Sequence, residues 1–144
     1  MKKISIMLLG LVLLAFIFWK HGSPVASEKA ELIACTDITQ SCGNAEFLVR
    51  FKEAPQVMKS FHLELNGERI QNVPIQKIHA NFAMKGMEMG FNRYQLIRVG
   101  QAEWIAEVTL PVCVQGRSDW EMLLEIDTEK GKQRFVLPFS AAKK

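Results

Sequence analysis

The sequence predicts an all-β domain, a two-sheet sandwich of about seven strands, preceded by one N-terminal transmembrane helix. Three observations carry this. Apolar residues recur with period two from residue 46 to residue 139, turn residues punctuate that pattern, and one uncharged apolar run stands ahead of it.

The apolar run comes first. Lys2 and Lys3 precede "ISIMLLGLVLLAFIFW", sixteen residues without a charge, and Lys20 and His21 close it. A run of this length is a short membrane span or the core of a signal peptide. "VAS" at 25–27 offers a small-residue cleavage site, but it lies past Lys20 and well beyond the run. Phe18 and Trp19 suit the interfacial end of a retained anchor. The leading lysines favour an N-terminus on the inside, so either reading sends the following residues out of the cytoplasm. "LIAC", Leu32 to Cys35, has the form of a lipoprotein processing box, yet "KHGSPVASEKAE" separates it from the run, so Cys35 is not expected to carry lipid. The organisation is therefore an anchor or signal at 1–21, a polar spacer and cysteine-containing arm at 22–44, and the sandwich at 45–140.

The strands follow in order. "EFLVRFK" alternates Phe47, Val49 and Phe51, and "VMKSFHLELNG" alternates Val57, Phe61, Leu63 and Leu65 before the turn pair Asn66-Gly67. "KIHANFAM" sets Ile78, Ala80, Phe82 and Met84 on one face, and "NRYQLIRV" contributes Tyr94 and Leu96. "EWIAEVTL" gives Trp104, Ala106, Val108 and Leu110; "WEMLLEI" gives Trp120, Met122, Leu124 and Ile126; "QRFVLPF" gives Phe135, Leu137 and Phe139. Each run has one apolar face to bury, and two packed sheets bury all of them.

Cys35, Cys42 and Cys113 allow three single pairings, each leaving one thiol over. An exported domain favours a disulfide. The local Cys35–Cys42 pairing would staple the arm to the domain and leave Cys113 as a buried small hydrophobe, a ligand or a redox group.

Charge excludes one class of partner. Residues 1–27 hold Lys2, Lys3 and Lys20 and no acid, and the remainder balances fifteen basic against fifteen acidic residues. A neutral domain lacks the basic face that nucleic-acid binding needs. Catalysis has little to draw on. His62 and His79 are the histidines of the domain, Ser60 and Ser118 lie in no nucleophile elbow, and Asp119 and Glu121 share an exposed strand face. The chain is not expected to be an enzyme.

The methionines are the remaining signal. Met84, Met87 and Met89 crowd around Gly86 and Gly90. Thioether sulfur is a soft donor suited to Cu(I), and the glycines would let the backbone curl so that the sulfurs converge. Against this, methionine fills irregular core gaps, and Met84 continues the Ile78–Phe82 face, while His79 falls on the opposite face. His62 and Met58 lie outward on an earlier strand, from which they could approach.

"MKGMEMGFNRYQL" resembles the M-x-G-M-x-M-G pattern of the FixH-like and YtkA-like membrane-anchored periplasmic proteins of bacteria, and "WIAEVTLPVC" followed by a Gly and a Trp is similar to their late strands. The likeness covers most of residues 45–127, with the Met-Gly motif its specific part. It implies an Ig-like sandwich in the periplasm, single-pass in the inner membrane, associated with copper handling and respiratory-oxidase assembly. Carried over, Met84, Met87 and Met89 would face copper, with His79 or Cys113 as a further donor. The competing expectation is an interaction module without metal that docks on an inner-membrane protein partner through an apolar methionine patch.

Overall fold

The computed structural model describes residues 29–87, 90, 92–112 and 116–143. These residues form an all-β structure without a helix: β1 Glu31–Leu32, β2 Cys42–Gly43, β3 Leu48–Phe51, β4 Ser60–Asn66, β5 Arg69–Ile70, β6 Val73–Met84, β7 Arg93–Arg98, β8 Glu103–Thr109, β9 Asp119–Thr128 and β10 Gly131–Ser140. The expected membrane span lies outside the described residues, and no helix among them is long and apolar enough to cross a membrane.

Every expected run contains a strand. The three added strands, β1, β2 and β5, have two residues each, too few to show a period. β6 begins earlier than expected. Its buried positions are Val73 and Ile75, then Ile78, Ala80, Phe82 and Met84, and the pairing register shifts between Ile75 and Lys77. That extra residue is a bulge that reverses the alternation, so the start of the strand reads out of phase with the rest.

The strands form one curled mixed sheet in the order β1-β10-β9-β6-β7-β8-β4-β3-β2. Instead of two separate ladders, β7 joins both layers: its first four residues pair β6 and its last two pair β8. Where β7 leaves β8, the Tyr94 hydroxyl fills in. It donates to the Thr109 carbonyl at 2.8 Å and accepts the Thr109 N–H at 3.2 Å. The curl brings distant strands face to face. Phe51 meets Phe139 with ring centroids 5.1 Å apart, and Phe47 meets Phe135 at 4.9 Å. Phe61 and Phe82 complete the aromatic centre of the core.

The stretch expected as spacer and arm joins this core. Ile33, Ile38 and Cys42 are buried in it, β1 runs parallel to β10, and Phe51 donates its N–H to the Ile38 carbonyl at 2.9 Å. The arm thus crosses from the β10 edge to the β3 edge. Cys35 and Cys42 are disulfide-bonded across it, with Cα atoms 5.6 Å apart.

Candidate functional site

Strand ends gather the sulfur-bearing side chains. Met84 closes β6, beside Trp120 at the start of β9, which in turn pairs Phe139 near the end of β10. Met122 lies two rungs inward, opposite Phe82. Met84 is 1% exposed, a core residue of this row. Lys85 and Gly86 then turn the chain, with Gly86 at φ +71°, a left-handed conformation that glycine takes without strain. Met87 returns as a bridge partner of Met84 and donates its N–H to the Met84 carbonyl at 2.9 Å. Half-buried, it packs on the core. Met89 and Cys113 lie outside the described residues.

The structure therefore brings Met84 and Met87 together and keeps His79 apart from them. His79 sits on the outer face of β6, five residues before Met84, which on a strand is roughly 17 Å. Its neighbours are charged. Nδ1 lies 3.9 Å from Asp127 and has no hydrogen-bond partner among the described residues. Burial and then the Arg93 guanidinium hold its pKa below 6.5, against the pull of Asp127 and Glu125. His62 is elsewhere too, with Nδ1 3.1 Å from Glu53.

Around His79 the outer sheet face is an ion-pair lattice centred on Glu125. Arg93 Nη2 lies 2.7 Å from it, Arg134 Nε donates at 3.2 Å, and Lys132 Nζ lies 3.5 Å away. Burial raises the Glu125 pKa, but the three cations outweigh it and hold the carboxyl below its ordinary range. Among the described residues no three His, Cys, Asp or Glu side chains form a group that could hold a metal ion.

Two features of the methionine end go beyond the strand faces read from the sequence. Trp120 walls Met84, and its indole nitrogen is buried with no hydrogen-bond partner among the described residues. Met58 is held at φ +63°, donating its N–H to the Leu110 carbonyl at 2.9 Å, and stands 59% exposed. Val112, two residues past Leu110, is 57% exposed. The alternation of "WEMLLEI" places Trp120 inward with Met122, but its position beside Met84 is set by the register of β9 on β6. Met58, expected outward on the strand of His62, instead precedes β4, because the segment before that strand pairs with one about fifty residues later.

The chemistry available is thus an apolar, sulfur-rich end with Met84 and Met122 locked in the core, Met87 half-buried and Met58 exposed. No protein-family model matches the chain, and no curated protein matches it.

Proposed function

We propose that this chain is a non-enzymatic interaction module of the bacterial cell envelope. The domain stands on the periplasmic side of the inner membrane, tethered by one membrane-spanning helix within residues 1–21, and docks on a membrane-protein partner through its methionine-bearing end. In this reading the curled sheet is an Ig-like sandwich whose two layers share β7. The observation that carries the proposal is the division of labour among the methionines. Met84 is committed to core packing, whereas Met58 and Val112 are exposed at the same end as half-buried Met87. Exposed apolar groups gathered at one end favour a contact surface.

A second reading, copper handling in support of respiratory-oxidase assembly, draws on the Met84–Met87 bridge, which puts two soft donors on facing positions. One experiment separates the two. The full-length protein is titrated with Cu(I) against a competing chelator, beside a Met84→Leu/Met87→Leu/Met89→Leu variant that keeps volume and removes sulfur. Equal weak binding by both is expected. Stoichiometric binding lost in the variant would replace the interaction reading with the copper one. In parallel, Met58→Glu and Met87→Glu are expected to abolish crosslinking of the full-length protein to a membrane protein in native envelopes, without unfolding the domain.

A further inference from the structure

The edge of β10 is incompletely covered. Ala141 donates its N–H to the Ser118 carbonyl at 3.1 Å, on the β9 side. Ladder alternation therefore turns the backbone groups of Val136, Pro138, Ser140 and Ala142 away from β9. The first and last of these are engaged. The Val136 carbonyl accepts the Ile33 N–H at 2.9 Å. Ala142 donates to the Pro55 carbonyl at 2.9 Å and accepts from Val57 at 3.1 Å. Between them, the Pro138 carbonyl and both backbone groups of Ser140 have no strand beside them among the described residues.

Two prolines explain the interruption. To extend β1 along β10, an N–H at 138 would have to reach the Ile33 carbonyl. To extend the 55–57 segment backward, an N–H at 55 would have to reach the Ser140 carbonyl. Neither proline carries an N–H. The arm and the 55–57 segment diverge around this gap, and a groove of about 780 Å³ lies over it, lined by Pro55, Pro138 and Ser140. Its wall carries Asp37 and Glu121 against Lys85, while Asp119 is already held by Arg117.

We infer that this gap is a docking site for a short extended segment of a partner protein carrying a basic residue. The segment would add as a strand to the β10 edge, donating N–H groups to the Pro138 and Ser140 carbonyls and accepting the Ser140 N–H. Its basic side chain would answer Asp37 and Glu121. Backbone pairing supplies orientation, and the surplus carboxylate charge supplies selection. The inference rests on the interaction-module reading and names the partner chemistry for a surface distinct from Met58 and Met87.

The test uses the full-length protein in lipid nanodiscs with the labelled peptide acetyl-Val-Lys-Val-Lys-Val-amide as probe. Binding is read by fluorescence anisotropy, and exchange of the Ser140 amide hydrogen by NMR. The peptide is expected to slow Ser140 exchange. N-methylating its central residues is expected to weaken binding by about tenfold or more, the equivalent of one or two lost hydrogen bonds. Glu121→Gln should weaken it, and Ser140→Pro, which deletes the donor at an edge position, should abolish it. Absence of binding, equal binding of the Glu-for-Lys peptide, indifference to N-methylation, or protection elsewhere in the chain would overturn the inference. So would Ser140 protection that rises with protein concentration alone, because the occupant would then be a second copy. The peptide-side change keeps the test decisive if Ser140→Pro fails to fold. The crosslinking variants at Met58 and Met87 alter other side chains, so failure of this site and failure of the module reading are distinguishable.

Discussion

Glu125 lies on the solvent side of its sheet and is nonetheless 8% exposed, roofed by Arg93, Lys132 and Arg134. A carboxylate this enclosed is stabilised only while it is charged and its three cations are in place. Its folded pKa is lowered, so the folded chain binds its proton less readily than the unfolded chain. That contribution is present above about 4.5 and is lost as pH falls through the lower folded value. His79 acts in the same direction at higher pH. Its folded pKa also lies low, so protonation favours unfolding once pH drops below 6.5. Denaturation midpoints measured across pH are therefore expected to fall in two stages, beginning below 6.5 and steepening below 4.5. His79→Gln should remove the first stage alone. A midpoint that stays level between the two values in the unaltered protein would sink the His79 assignment.

Among the elements, legibility followed length. β4, β6, β8, β9 and β10 hold enough consecutive alternation for their inward faces to be read directly, as with Trp120, Met122, Leu124 and Ile126. β1 and β2 hold two residues each and exist because β10 and β3 lie beside them, so their cause is remote in sequence. The candidate site divides in the same way. Met84's core-facing position followed from the period of its strand. The charged surroundings of His79 did not, because Glu125 and Asp127 reach it through register with β9. The disulfide was legible from spacing, and its setting was not: it spans an arm packed into the core on both sides. Cys35→Ser/Cys42→Ser is expected to lower stability by roughly 2.5 kcal/mol from loop-closure entropy. Chemical denaturation of reduced and oxidised protein provides the check. Equal midpoints would show that packing of Ile33 and Ile38 alone holds the arm.

At the scale of the molecule, closure depends on contacts between strands at opposite ends of the pairing order. Phe51 of β3 touches Phe61 of its neighbour strand and also Phe139 of β10 and Phe82 of β6 across the core. Phe51→Ala would remove this bridge and leave a cavity on both layers, at a cost of about 3–5 kcal/mol. Single domains are stable by about 5–15 kcal/mol, so the variant is expected to be marginal or unfolded by circular dichroism at physiological temperature. A loss below about 1 kcal/mol would mean that the layers close without it.

The arm also has a mechanical consequence. If the residues before Lys29 are tethered, tension enters the domain at β1. Its two parallel rungs on β10 are the first contacts to carry that load. They can peel one after another, releasing the chain as far as Cys35. There the load passes through the covalent bond to Cys42 and on to the β2–β3 pairing, so the intervening loop adds no length. An oxidised domain would yield a short, fixed extension before resisting, and a reduced one would pay out the whole arm. The disulfide thus acts as a stop on a tether: once Ile33 has left its place in the core, it sets how far the domain can be drawn from its anchorage before Ile38 and the β2–β3 pairing carry the load.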